Sequence, residues 1–276
     1  MITSFSKYSG CGNDFILIDR RHAPITCSAK SIARLCDRHQ GIGADGVIFL
    51  ETSSSANYKM RYFNADGGEA KMCGNGIRCL AKFIEELTRK GELSQQATKQ
   101  NMQMSIETMH SNFLVSIIQE MVQVAFPPPT GFLEELCIDG YKGYSLDTGV
   151  PHFVTFVSDL SDKGHMQQAP KIRFNPLFPQ GTNVNFASTP IDNAFLAIRT
   201  YERGVEGETE SCGTGAVAAA LIAADVYNLL SPVTIQTRSN DILRVSFTKG
   251  SKPYSFSDIH LTGPAVKVFE GKIALT

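Results

Sequence analysis

The chain has 276 residues, 42% hydrophobic and 19% charged, which is enough apolar material for a packed core and excludes wholesale disorder. Lys and Arg number 26 against 27 Asp and Glu, a net charge of −1, so no basic excess favours a nucleic-acid partner. Residues 1–15 show no basic segment followed by an apolar one, and the most apolar run, 216–224, is too short for a bilayer. A soluble cytoplasmic protein with no membrane partner is expected.

In chain order, strand-like runs fall at 15–19, 47–51, 58–63, 102–107, 113–118 and 122–126. A helix is predicted from Ser28, as N-cap, to about Arg38. A second follows Gly74, with Ile77, Leu80, Ala81, Ile84 and Leu87 at helical spacing and Gly91 as its stop. Prolines 127–129 mark a linker. Further strands are predicted at 144–147, 152–157, 193–198, 233–237, 243–247 and 265–269, and the polar segment 158–179 reads as a long loop. The helix after Gly213 is apolar all round from Val217 to Ala224, so it should be buried on every side, inside a curled sheet.

The halves look alike. Arg61-Tyr62-Phe63-Asn64-Ala65-Asp66-Gly67 leads to Met72-Cys73-Gly74-Asn75-Gly76 and a helix. Arg199-Thr200-Tyr201-Glu202-Arg203-Gly204 leads to Ser211-Cys212-Gly213-Thr214-Gly215 and a helix. Each half also carries an earlier turn, at Gly12-Asn13-Asp14-Phe15 and at residues 181–186. This is the signature of a duplicated lobe. The expected fold is α+β, with two similar lobes, each a curled, mostly antiparallel sheet or barrel around a central helix, and the active site in the cleft between them. The lobes would be 1–128, with strand 264–276 returning to it, and 129–263.

The seven cysteines are odd in number and include no C-x-x-C pair, so neither a disulfide framework nor a zinc ribbon is expected. The histidines show no ligand spacing, so no metal is expected. A cysteine that opens a helix is different. The first N–H groups of a helix are unpaired and carry partial positive charge, which favours a thiolate and can bind a carboxylate. Two such cysteines facing one amino-acid α-carbon could remove a proton from one side and deliver one to the other, inverting the centre. Cys73 and Cys212 are the candidates. The remaining cysteines read as packing. Alone, His152 reads as a satisfied core histidine; Glu202-Arg203 could form a structural ion pair, but its place just before the cysteine loop and the need to bind both an ammonium and a carboxylate favour a substrate role. No Gly-x-Gly-x-x-Gly or Walker A motif is present, and the paired thiols need no cofactor.

The chain resembles the diaminopimelate epimerases over almost its whole length. The matching stretches are 7–19 (KYSGCGNDFILID), 38–47 (RHQGIGADGV), 61–79 (RYFNADGGEAKMCGNGIRC), 149–154 (GVPHFV), 181–186 (GTNVNF), 201–209 (YERGVEGET) and 211–216 (SCGTGA). The resemblance implies a cofactor-independent isomerase interconverting LL- and meso-diaminopimelate for lysine and peptidoglycan-precursor synthesis, acting as a homodimer. It implies Cys73 and Cys212 as the catalytic pair. Asn13, Asn64, Asn183, Glu202 and Arg203 would hold substrate through side chains, and Gly74, Asn75, Gly213 and Thr214 through the backbone. His152 and Glu202 would stand beside the sulfurs.

Three departures from the family pattern stand out. Val150 replaces an asparagine, Gly46 replaces a glutamine, and the loop 202–209 is one residue longer. Loss of a side-chain amide implies relaxed substrate selectivity. Two rival readings are a proline racemase-like enzyme with the same thiol pair and a non-catalytic thiol switch or binding protein.

Overall fold

The computed structural model describes residues 2–22, 27–70, 72–93, 101–109, 111–190 and 195–274. One pairing plan is run through twice. β1 (Ile2–Gly10) is antiparallel to β2 (Asn13–Asp19), with Gly10 opposite Asn13. β2 is parallel to β3 (Gly46–Glu51), and β3 is antiparallel to β4 (Tyr58–Asn64). β4 forms a hairpin with β5 (Glu69–Ala70) and runs parallel to β6 (Asn101–Glu107). β7 (Asn112–Ile118) and β8 (Met121–Phe126) continue as an antiparallel meander. A parallel step needs a crossover. α1 (Ala29–Cys36) supplies it between β2 and β3, and the Ser28 hydroxyl caps it by accepting the Ser31 N–H at 3.1 Å. α2 (Gly74–Arg89) follows β5.

The second unit repeats each step. β9 (Thr130–Ile138) is antiparallel to β10 (Tyr141–Asp147), and β10 to β11 (Pro151–Val157). β11 is parallel to β12 (Asn183–Ser188), and β12 is antiparallel to β13 (Phe195–Glu202). Between them lies α3 (Gly164–Arg173). β13 forms a hairpin with β14 (Gly207–Thr209) and runs parallel to β15 (Val233–Gln236). β16 (Ile242–Lys249) and β17 (Phe256–Gly263) complete the meander. α4 (Gly213–Val226) follows β14 as α2 follows β5. The last strand, β18 (Val266–Ala274), flanks β1 as β9 flanks β10. Contacts divide the chain into a first unit up to Val124, which also takes the chain from Gly263 onward, and a second, Ala125–Thr262.

The fold is therefore α+β, with a sheet curled about one helix in each unit. α2 packs on β1, β2, β3, β4, β7 and β18. α4 packs on β10, β11, β12, β13, β15 and β16, and every residue from Gly213 to Ala224 is buried. An alanine-rich helix without a polar face suits that position, because short side chains let strands approach on all sides. Both hairpins are locked alike. Arg61 grips Glu69 through Nε at 2.8 Å and Nη2 at 2.9 Å, and Arg199 grips Glu208 at 2.7 and 3.1 Å.

The structure corrects four expectations. The segment 158–179 is not a plain loop: it contains α3, because β11 and β12 are parallel and the chain must cross back between them. His165, Ala169 and Ile172 form the buried stripe of α3, which packs on β12 and β13. Residues 183–186 are strand β12 rather than a turn, held between a parallel and an antiparallel neighbour. Strands β1, β5, β9, β14 and β17 also went unpredicted, since β5 and β14 are only two and three residues long and the others mix polar residues into the run. Cys137, read as packing, is exposed on β9. Of the run predicted at 193–198, residues 193 and 194 lie outside the described residues.

Candidate active site

Cys73 is the N-cap residue of α2. Its extended backbone, with φ −143° and ψ 114°, turns Sγ back to accept the Gly76 N–H at 3.4 Å. Cys73 is half-buried. The first turn reads Gly74-Asn75-Gly76, and a larger residue at its third place would have to displace the tips of two buried side chains. A Cβ on Gly76 would meet Ile48 Cδ1 at 2.9 Å and Met60 Cε at 3.0 Å. The helix start is thus pressed onto β3 and β4, with the sulfur over its N–H groups. That setting lowers the cost of forming a thiolate.

A directed chain of hydrogen bonds runs away from this turn. Arg78 is fully buried, and its Nη2 donates to Asn75 Oδ1 at 2.9 Å and to Cys11 Sγ at 3.3 Å. Its other bonds go to the main-chain carbonyls of Pro264 at 3.2 Å and Gly74 at 3.4 Å. A guanidinium only donates. Asn75 must therefore turn its oxygen to Arg78 and its nitrogen to Asn13 Oδ1, 2.5 Å away. Asn13 in turn must present Nδ2 to Asp45 Oδ2, at 3.0 Å. One buried cation thus sets which way two amides face. Beyond Asp45, Asp14 takes Lys7 at 2.7 Å and Arg38 at 2.8 Å. Burial pushes the Asp14 carboxyl up, but the hydrogen bonds from Arg38 and Lys7 outweigh it and hold the group below its ordinary value.

In the second unit Cys212 is the N-cap residue of α4, with φ −127° and ψ 109°. It is buried, and its Sγ lies 3.4 Å from Thr214 Oγ1. The Thr214 carbonyl accepts the Thr148 hydroxyl at 3.0 Å. Asn183 opens β12: its Nδ2 donates to the Pro151 carbonyl at 3.0 Å, and its Oδ1 accepts the Arg203 N–H at 2.9 Å. The Arg203 side chain donates to the carbonyls of Gln180 at 3.2 Å and Gly181 at 3.4 Å. Burial, reinforced by neighbouring Arg173, pulls its pKa below the ordinary arginine value, against the opposing pull of Asp147 and Glu206.

His152 is fully buried opposite Asn183. Its Nδ1 lies 3.1 Å from Asn185 Nδ2, whereas its Nε2 is buried without a partner among the described residues. Burial, with a smaller push from Arg203, drives its pKa down to about 3, so the ring is neutral. The reading of a satisfied core histidine is thus half right.

The repeat aligns the remaining candidates. Asn64 ends β4 opposite Gly46, and its backbone closes the following turn with Gly67 and Gly68 at 2.9 Å each. Glu202 ends β13 in the corresponding place. Gly46 stands on β3 where Asn183 stands on β12, facing Phe15 on β2 as Asn183 faces His152 on β11. Glycine is required there: a Cβ would meet the Phe63 carbonyl at 2.4 Å and the Tyr62 ring at 2.6 Å. Within the first unit the structure brings Cys73, Gly74, Asn75 and Asn13 together. Within the second it joins Asn183 to His152 and Arg203, and Cys212 to Thr214.

Sequence reasoning missed Arg78 and Asn185. Arg78 falls one turn beyond Gly74, on the face of α2 that carries the cysteine loop, and that spacing was the available signal. Asn185 carried none beyond its place in the Thr-Asn-Val-Asn run. Burial keeps Cys36 and Cys79 protonated: it pushes the Cys36 thiol up to about 12, and that of fully buried Cys79 higher still.

A family model described as diaminopimelate epimerase matches residues 5–121 and 144–268. The diaminopimelate epimerase of Archaeoglobus fulgidus is 37% identical over 294 residues, covering 100% of this chain and 98% of that relative. Among solved structures, a Bacillus anthracis phenazine biosynthesis protein of the PhzF family superposes with a TM-score of 0.74 at 16% identity, over 99% of both chains. A hydroxyproline epimerase from Agrobacterium vitis, with trans-4-hydroxy-L-proline bound, gives 0.70 at 14% identity over 99% of this chain and 93% of that one. At such identities the structural likeness speaks for the fold alone. No helix among the described residues is long and apolar enough to cross a membrane.

Proposed function

The chain belongs to the diaminopimelate epimerase family and is an isomerase, and from that premise we propose that it interconverts LL- and meso-diaminopimelate with Cys73 and Cys212 as its two acid–base groups. Family membership sets aside the reading of a non-catalytic thiol protein. The observation that carries the proposal is the duplicated setting of the thiols. Each is the N-cap residue of a helix that begins Gly-x-Gly, at the same step of the same strand plan.

The chemistry asked of these residues is transfer of the α-proton. In one direction the thiolate of one cysteine takes the proton, and the thiol of the other supplies a proton to the opposite face. The reverse reaction exchanges their roles, so one pair serves both directions. The α-proton is a weak acid, and its removal needs stabilisation of the charge that develops toward the carboxylate. In this reading the N–H groups of Gly74, Asn75, Gly213 and Thr214 receive the substrate carboxylate at the two helix starts. Asn13, Asn64 and Asn183 orient the substrate, and the Glu202 carboxylate and Arg203 guanidinium match its ammonium and carboxylate charges. No cofactor takes part. Gly46, filled over by Tyr62, and Val150 leave fewer amides for the substrate, which supports a permissive site. A cytoplasmic homodimer rests on the family resemblance alone.

The test follows deuterium from solvent into the α-carbon of LL-diaminopimelate. Exchange is expected in the unaltered enzyme and lost in both Cys73→Ala and Cys212→Ala. Exchange that survives in both variants would remove the thiols from the mechanism. Turnover of proline in place of diaminopimelate would move the substrate to a secondary amine.

A further inference from the structure

His152 and Asn185 are both fully buried on neighbouring strands, β11 and β12. Three contacts leave the Asn185 amide a single orientation. The Phe153 carbonyl can only accept, and it lies 3.0 Å from Nδ2. The second hydrogen of Nδ2 points to His152 Nδ1, 3.1 Å away. Thr200 Oγ1 donates to Oδ1 at 2.9 Å. An amide NH2 only donates, so His152 Nδ1 is an acceptor and the neutral ring carries its proton on Nε2. That Nε2–H is buried and finds no partner among the described residues. A buried donor left unsatisfied is unfavourable, and its persistence points to a group that meets its acceptor only when the site is occupied.

The same amide touches the cysteine helix. A Cβ on Gly215 would lie 2.3 Å from Asn185 Oδ1 and 3.4 Å from Cys212 Cβ, so Asn185 lies against the first turn of α4. Arg203, at the end of β13, is the cation whose field reaches the ring, and it too favours the neutral form.

We propose, on the reading of Cys212 as a catalytic thiol, that Asn185 is a positioning residue: it fixes His152 as a neutral hydrogen-bond donor through Nε2 for an acceptor that arrives with the substrate. His152 in this state does not serve as a general base. A ring in this tautomer has its only lone pair committed to Asn185.

The decisive measurement is nitrogen-15 NMR of the histidine rings in the full chain without substrate. His152 should show a protonated Nε2 and a bare Nδ1 throughout about pH 5 to 8. A proton on Nδ1, or a ring that titrates in that window, overturns the proposal. Asn185→Asp replaces the donor by a carboxylate, draws the ring proton to Nδ1 and leaves Nε2 an acceptor. Turnover should fall on the order of 10²-fold with KM little changed. Unchanged turnover with the proton moved refutes the functional part. His152→Gln keeps a neutral donor and should exceed His152→Phe by roughly tenfold in turnover; equal loss in both would mean that donation is not the role. The tautomer is read without substrate, so the outcome stands whichever amino acid the enzyme isomerises. The expected tautomer with no diaminopimelate exchange would count against the substrate alone.

Discussion

Replacing Gly215 by alanine should disturb the enzyme at one contact. The new Cβ would sit 2.3 Å from Asn185 Oδ1, about 1 Å inside ordinary van der Waals separation. Asn185 cannot swing aside cheaply, because it bonds Phe153, His152 and Thr200 at once. Rotating it away would strand two or three buried polar groups at ~1–3 kcal/mol each. Displacing the start of α4 is the cheaper relief, at ~1–3 kcal/mol for overpacking, against which alanine returns ~1 kcal/mol in helix propensity. The net loss, up to roughly 2 kcal/mol, corresponds to a Tm lower by up to about 8 °C. The displaced residue next to Cys212 is the larger effect, since a shift of about 1 Å in a reacting group costs on the order of 10²-fold in turnover. Thermal unfolding and epimerisation rates on the same preparation check both. Gly207→Ala, where an added Cβ meets nothing within 4 Å, is the control and should match the unaltered enzyme. If Gly215→Ala also matched it in Tm and turnover, the account of Asn185 as a rigid stop behind α4 would be wrong.

Cys73→Ser and Cys212→Ser should each fold normally by circular dichroism and lose at least about 10²-fold in turnover, because an alkoxide is much harder to form than a thiolate; near-normal turnover in both would contradict the two-thiol mechanism. Arg78→Met removes the donor that orients Asn75 and Asn13 and leaves the Asn75 oxygen buried without it. Urea unfolding should show a loss of ~2–4 kcal/mol, and KM should rise more than kcat falls; an unchanged KM would deny the relay a part in binding. The His152 ring, at about 3 in the folded chain against an ordinary 6.5, stays neutral while the unfolded chain takes up a proton. Its contribution to stability is whole above pH 6.5 and is lost as pH falls toward 3, by up to ~1.4 kcal/mol per pH unit. Urea midpoints compared between the unaltered chain and His152→Gln should diverge in that window, and parallel pH profiles would refute the burial argument.

Local pattern was enough to mark the two helix starts that carry Cys73 and Cys212. A cysteine ahead of Gly-x-Gly and an apolar run reads as a capped helix wherever it occurs. Its recurrence after Arg61 and Arg199, residues that turn out to clamp equivalent hairpins, exposes the duplication. Alternating runs such as 113–118 and 243–247 declare themselves as strands because one face is buried and the other wet. What local pattern cannot hold is information about a distant neighbour. α3 has a weak stripe, no side-chain cap and an internal Pro170; it is a helix because two strands elsewhere in the chain pair in parallel. Residues 183–186 look like a turn until β11 and β13 close on either side and satisfy their amides. Arg78 is an ordinary helical arginine until Asn75, Cys11 and Pro264 surround it, and only then do the amides of Asn75 and Asn13 have a direction. Burial and hydrogen-bond direction are properties of the assembled core, and the sequence supplies the groups without saying which of them will meet.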